Sequence, residues 1–358
     1  MKSNLNTLTL IILGALFVFL PIPTANLNFN TGISGENVEK EKIQISALSG
    51  KIHIDGNSGW LAFRSAGNCT GNGTYHDPYV IENLEIDGGG SGSCILIENS
   101  TVYFRIEKCN LYNSGDYPAA GIKLNNTNNG QVTDNVCSPN NSGISLYASH
   151  NNTISGNIVD HNDYCGILLH DGDNNTISGN SIDYNSLAGI ILHVGGAENN
   201  NITGNTLVSN QIGIQTWSFV RYNNITRNII SKNALGIEFK GGPSGNNDVY
   251  LNCFTDNGVH ANDGALNNKW DNGTIGNYWD NYTGSDSDNN GVGEIPYNIA
   301  GPAGSQDNFP LMICPISTTQ NGGRIPGFNL FMLIGILSVA VILIRMKLKH
   351  IKECKRGR

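Results

Sequence analysis

Residues Gly166 to Asn185 read Gly-Ile-Leu-Leu-His-Asp-Gly-Asp-Asn-Asn-Thr-Ile-Ser-Gly-Asn-Ser-Ile-Asp-Tyr-Asn, and the same sentence is spelled again from Gly189 with small changes. The glycine that opens it stands at Gly121, Gly143, Gly166, Gly189, Gly213, Gly236 and, more weakly, Gly258, a period of 22 to 24 residues. Self-similarity at that period marks a solenoid. Each repeat holds three short phrases. The first is Gly-Ile-x-Leu, with Ile122/Leu124, Ile144/Leu146, Ile167/Leu169 and Ile190/Leu192 in its apolar places. The second is Asn-x-Ile/Val-x-x-Asn, ending at Asn135, Asn157, Asn180, Asn205, Asn228 and Asn252. The third carries Cys137, Val159, Ile182, Leu207, Ile230 and Phe254, and ends at Asn140, Asn162, Asn185, Asn210, Asn233 and Asn257.

Period-2 alternation in each phrase turns the aliphatic column inward, where like residues stack about 4.8 Å apart from coil to coil. Asparagine tolerates left-handed φ at the corners and can bond the coils above and below. Three strands and three corners per repeat predict an all-β, single-stranded, right-handed parallel β-helix of about eight coils. Composition agrees: 53 Asn and 44 Gly stand beside only 14% charged residues, a turn-dense β profile rather than a helical one.

The repeats are expected over residues 79–266, between an N-terminal cap at 43–78 and a C-terminal cap at 267–312. Ile43-Gln-Ile45 and Ile52-His-Ile54 read as short strands of the first cap. A solenoid needs such caps, because its end coils otherwise expose backbone and apolar groups to water. The second cap breaks the period and gathers Trp270, Tyr278, Trp279, Tyr282 and Tyr297, read as a cover for the last coil or as a sugar-stacking platform.

Outside the rod, residues 1–25 read as a signal peptide, with Lys2 before an apolar run from Leu8 to Leu20 too short to span a bilayer comfortably. Residues 26–42 and 313–327 read as linkers. Residues 328–344 read as one transmembrane helix, and the basic tail 345–358 places that side in the cytoplasm. The expected location is therefore the cell membrane, with a single span and the bulk of the chain extracellular. Without Lys2 and the tail the chain holds 13 basic and 28 acidic residues, which excludes nucleic acid as a partner.

Seven cysteines fall in the exported part with no Cys-x-x-Cys pair, which argues against zinc or redox motifs. Cys69 with Cys94, or Cys94 with Cys109, are conceivable bridges between adjoining coils. Eleven Asn-x-Ser/Thr sequons, among them Asn68, Asn72, Asn99, Asn151, Asn174, Asn201, Asn224, Asn272 and Asn281, are candidate glycan sites or by-products of the Asn-rich corners.

Gly276-Asn-Tyr-Trp-Asp-Asn-Tyr-Thr-Gly284, then Asp286-x-Asp288-x-Asn290-Gly291-x-Gly293 and Ile295-Pro-Tyr297, following Asn-rich repeats, resemble the NosD-type β-helix family. That family is pectate-lyase-like in fold and is also described as carbohydrate-binding and sugar-hydrolysis β-helices. The entry phrase from Gly73 to Leu84 is similar to its surface-anchored members, and Pro326-Gly327-Phe328 resembles a sorting signal. The resemblance implies fold over roughly 51–312 and suggests copper delivery as an activity.

Two places could carry chemistry. Asp286, Asp288 and Asn290, with the Val292 carbonyl and Glu294, have the oxygen spacing and turn glycine of a calcium loop, but Tyr297 stands where a bidentate Glu belongs. The outward residues of the first phrase form the second: Asn125, Tyr147, His170, His193, Trp217, Lys240, beside Lys123, Ser145, Leu168, Ile191, Gln215, Glu238. Tyr147, His170, His193, Trp217 and Lys240 could bind cell-surface or extracellular polysaccharide. His170 and His193 could hold copper, though two histidines without a third ligand make a weak site. Tyr147, His170 and His193 with Asp171 or Asp173 could act as acid and base in lyase, epimerase or hydrolase chemistry. The expected function is carbohydrate binding or a structural or adhesive role at the cell surface, with polysaccharide catalysis and copper delivery as alternatives.

Overall fold

The computed structural model describes residues 47–193 and 195–316. The expected signal peptide, linker 26–42, transmembrane helix and basic tail lie outside the described residues, as does the Ile43–Ile45 strand. Among the described residues no helix is long and apolar enough to cross a membrane.

The chain winds as a parallel β-helix of three sheets with nine, eight and ten strands, so eight coils are complete. We call the nine-stranded sheet the front sheet; its strands include Ala120–Asn125, Ser142–Tyr147, Cys165–His170, Ala188–His193, Ile212–Thr216 and Leu235–Phe239. The side sheet holds Thr153–Ser155, Thr176–Ser178, Asn201–Thr203 and Asn224–Thr226. The back sheet holds Ile158–Asp160, Ser181–Asp183 and Thr206–Val208. Pairing is in register down the rod: Ile144 beside Ile167, Ile167 beside Ile190, Ile190 beside Ile214. The inward column, from Ile52 through Ile177 and Ile202 to Ile237, is one continuous buried core.

The period-setting glycines are dictated by crowding. A Cβ on Gly166 would lie 2.5 Å from the Ile182 side chain and 2.6 Å from the Gly189 carbonyl oxygen, closer than real Cβ contacts allow.

Three asparagine ladders run along the three corners. Asn135, Asn157, Asn180, Asn205, Asn228, Asn252 and Asn277 form one, and Asn140 to Asn257 a second. The third, Asn152, Asn175, Asn200, Asn223, Asn247 and Asn268, sits where the front sheet turns into the side sheet. In each rung the amide oxygen accepts the backbone N–H of the asparagine one coil earlier, which satisfies the corner groups a strand ladder cannot reach.

Each end of the rod is closed by its own device. Ile52–Asp55 is the first strand of the front sheet, and the N-terminal end is covered by helix α1, Gly56–Ser65. Its buried Trp60 stacks on Tyr79 at 5.2 Å and 3°, with Phe63 one turn along. At the other end Phe254, Trp279 and Tyr297 stack with centroids 4.3 Å apart, and Trp270 and Trp279 are 1% exposed. These two indoles cover the last coil and present no face to a sugar.

Two of the ladders end on buried carboxylates. Asp307 accepts the Asn277 N–H at 2.7 Å and the Trp279 indole N–H at 2.9 Å. Asp263 accepts Asn268 Nδ2 at 2.9 Å and the Trp270 indole at 2.8 Å. A carboxylate accepts only, so it can close a run of donors without a further rung.

The cysteine expectation is corrected. The bridge is Cys253–Cys314, tying the segment after the cap to the eighth coil. Cys69, Cys94, Cys109, Cys137 and Cys165 are free thiols. Cys94 and Cys109 donate to carbonyls, Tyr112 and Glu107, at 3.2 and 3.3 Å. Burial pushes both up to about 11 and Cys165 to about 12, so they remain protonated and pack as small apolar groups.

Candidate functional site

The front sheet has the longest strands of the rod, and its exact register brings the outward residues into line. Asn125, Tyr147, His170 and His193 are directly paired neighbours on successive strands. Trp217 and Lys240 follow the paired Leu192, Thr216 and Phe239. The rings consequently stack. Tyr147 lies 5.1 Å from His170 at 18°, His170 lies 5.0 Å from His193 at 25°, and His193 lies 5.0 Å from Trp217 at 47°.

Cations close both ends. Lys123 Nζ stands 4.6 Å from the Tyr147 ring centre, and Lys240 Nζ 3.8 Å from that of Trp217. Such contacts are worth about 0.5–1 kcal/mol at exposed sites. The ladder thus covers its own ring faces and turns ring edges outward. Edges offer hydrogen bonds rather than flat stacking.

Beside the rings lies an apolar strip. Leu168 and Ile191 point outward yet are at most 1% exposed, in a cluster with Cys165, Ala188 and Ile212, rimmed by Tyr147, Tyr164, Leu187 and Trp217. Tyr117 packs edge-on against Tyr164 at 5.7 Å. The repeat pattern does not reveal Tyr117, because it sits in the Gly115–Ala119 loop outside any column; its only sequence signal is a Tyr-Pro step.

Burial and cation neighbours set the electrostatics. Burial pushes the Tyr147 phenol well above its ordinary range, and holds His193 below the ordinary imidazole value with help from His170 and Lys240. His193 is therefore neutral at pH 7. The Tyr147 hydroxyl, which faces Tyr117, and His193 Nδ1 are buried, and among the described residues neither makes a hydrogen bond of good geometry. Trp217 donates to Gln215 Oε1 at 3.1 Å, and Gln215 donates to Glu238 at 2.6 Å, giving the far end a run of polar edges.

The aspartates stand apart from this network. Asp171 occupies the left-handed turn position after His170, at φ +57. Asp173 accepts the Glu198 N–H at 2.8 Å and lies 3.6 Å from His150. Among the described residues neither is hydrogen-bonded to His170 or His193.

A metal has two candidate places. Two imidazoles on one ion direct their in-plane lone pairs at a common point about 2 Å from each nitrogen. His170 and His193 are near-parallel and stacked, so their lone pairs run side by side and do not converge. In the C-terminal cap, Asp286, Asp288 and Glu294 have ligand oxygens within 4.8 Å of one another. Each also accepts hydrogen bonds within the loop: Asn290 and Gly291 donate to Asp286, and Ser287 donates to Glu294 at 2.5 Å. Asn290 Oδ1 accepts the Val292 N–H at 2.8 Å. These bonds hold the loop in shape and use about half of each carboxylate's acceptor sites.

No curated protein matches the sequence. Among solved structures the chain is similar to the Dettilon tailspike protein, with 14% identity over 55% of this chain and 47% of that one at a TM-score of 0.41. It is also similar to the A-module of a mannuronan C-5 epimerase from Azotobacter vinelandii, with 13% identity over 56% and 66% and a TM-score of 0.42. A periplasmic alginate epimerase gives 18%, 69%, 77% and 0.40. The chain spans about half the length of the tailspike. The family model described as periplasmic copper-binding protein (NosD) matches residues 51–242 and 197–284. Those matches take in both the repeats and the start of the C-terminal cap, and the chain belongs to the NosD family.

Proposed function

We propose that this chain is an exported rod that binds an extended polysaccharide along the outward face of the front sheet. The observation that carries this reading is the ladder of stacked rings from Tyr147 to Trp217, one per coil, with Lys123 and Lys240 over its two ends. Its rungs recur about every 4.8 Å, close to the axial length of one sugar in an extended chain, so successive sugars meet equivalent edges. Glu238 and Lys240, part-exposed at the far end of the ladder, would bond sugar hydroxyls beside the outward ring edges. Binding is favoured over catalysis because Asp173 is engaged elsewhere. Copper, named in the family description, has its soft-ligand candidates in His170 and His193, but their stacking does not gather them around one ion. Residues 8–20 and 328–344 would export and anchor the rod at the cell surface.

The test uses the full chain in detergent, run through gels carrying a panel of neutral and acidic polysaccharides. Retardation by at least one is expected, and His170→Ala/His193→Ala should weaken it about tenfold, or 1.4 kcal/mol. Equal mobility in every gel ends this reading.

A further inference from the structure

We infer that the turn from Phe219 to Tyr222 is an aromatic platform that takes the face of a pyranose ring at the end of the ladder; this rests on the polysaccharide reading and names where sugar stacking occurs. The argument begins with a corner column. The residue just before each rung of the third asparagine ladder, and Asn129 before Gly130 one coil earlier, lies in the left-handed region: Asn129, Asn151, Asn174, Asn199, Tyr222, Asn246 and Asn267, at φ between +55 and +64. Six of the seven are asparagine, the side chain that tolerates this backbone best. In this column only Tyr222 is bulky; at the left-handed positions of the other corners Tyr184 and Leu251 are bulky too, but Tyr184 stacks on His161 at 5.1 Å. Three residues earlier Phe219 also sits at φ +67, where a large side chain is an outlier.

Neither ring gains burial in return. Phe219 is 47% exposed and Tyr222 54%, and among the described residues neither packs against another aromatic. Arg221 lies between them, with its guanidinium 5.8 Å from the Phe219 ring centre and its Nε held by the Pro243 carbonyl at 2.9 Å. Strain of this kind without a folding return marks positions kept for an external contact.

The surroundings suit a sugar. On the adjoining coils the positions around Phe219 carry Gly195–Gly196 and Gly241–Gly242, and Tyr222 lies between the shorter Asn199 and Asn246. The polar run of Trp217, Gln215, Glu238 and Lys240 begins two residues away. An apolar ring face beside fixed polar edges is what the two sides of a pyranose require, C–H groups on one and hydroxyls on the other. The rings of the ladder itself cannot supply the face, because each is covered by the next.

Asparagine substitution separates this role from a structural one. In the full chain, Phe219→Asn and Tyr222→Asn relieve left-handed strain, so the Tm should hold or rise by about 2 °C. Their affinity for a polysaccharide that retards wild type should fall about tenfold each, and Tyr222→Phe should restore it. If the double variant binds as wild type while His170→Ala/His193→Ala binds weakly, the platform is wrong and the ladder reading stands. If wild type is retarded by no polysaccharide, both fall together. A drop in Tm in the Asn variants would assign the two rings a structural role and overturn the inference.

Discussion

Asn180→Ala is expected to lower the unfolding free energy by about 4 kcal/mol, a large part of the 5–15 kcal/mol typical of a folded chain. Asn180 Oδ1 accepts the backbone N–H of Asn157 at 2.9 Å and its Nδ2 at 2.9 Å. Its own Nδ2 donates to the Ile154 carbonyl at 3.0 Å and to Asn205 Oδ1 at 2.9 Å. All of this is shielded from water, since Asn157, Asn180 and Asn205 are each at most 1% exposed. Alanine would leave the Asn157 N–H buried without a partner, at roughly 1–3 kcal/mol, take from the Ile154 carbonyl the donor it has besides its strand ladder, and open a void. Asn157 Nδ2 keeps its bond to the Val132 carbonyl, and Asn205 Oδ1 keeps the Asn180 N–H, so the damage is confined to two backbone groups and a small void. Urea denaturation measures the total. Hydrogen exchange should show the amides of coils around Asn157 and Asn180 opening first, because each coil touches only its neighbours. A loss below 1 kcal/mol would mean that water replaces the rung and that the aliphatic column alone couples the coils.

The sequence made the interior of the rod readable because every coil solves the same problem with the same residues. Ile177, Ile202 and Asn180 repeat at a fixed interval, and a parallel strand's period of two leaves no freedom over which face is buried. The outward column from Tyr147 to Lys240 follows from the same register, so its membership was legible. Its geometry was not: that the rings cover one another's faces depends on side-chain torsions and on the Lys123 and Lys240 ammonium groups at the ends. The ends of the rod were read least well, for the opposite reason to the middle. Helix α1 is used once, on an Asp55-Gly-Asn-Ser-Gly-Trp60 phrase without a repeat to compare, and the Cys253–Cys314 bridge joins residues 61 apart in sequence. The carboxylates that end two ladders stand 30 residues beyond Asn277 and five before Asn268, so no interval announces them. Phe219 and Tyr222 were hidden in another way, because only the left-handed φ of their column shows them to be exceptions.

Asp307 supplies the second large effect, read through pH. Its carboxylate is fully buried, and burial raises its pKa from 3.8 to about 6 against the pull of N–H groups from Asn277, the Trp279 indole and Phe309. A carboxyl group with a folded pKa above its unfolded value binds more protons in the folded state between the two, so stability falls as pH rises through that window. The contribution is complete below about pH 4, is lost progressively to about pH 6, and amounts to about 3 kcal/mol at 1.36 kcal/mol for each unit. Asp307→Asn keeps a carbonyl oxygen for the Asn277 and Trp279 donors and cannot ionise, so the difference between its denaturation curve and that of wild type isolates this one group. At pH 4 the two should agree within about 1 kcal/mol; by pH 7 the asparagine variant should be the more stable. Asp307→Ala, by contrast, should cost about 4 kcal/mol even at pH 4, because it orphans the buried Asn277 N–H and the half-buried Phe309 N–H and frees the buried Trp279 indole. Trp279 fluorescence reports the cap directly, as its ring is held between Phe254 and Tyr297. Parallel curves for wild type and Asp307→Asn from pH 4 to pH 7 would show that the N–H donors outweigh burial and that the ladder ends on a permanently charged group.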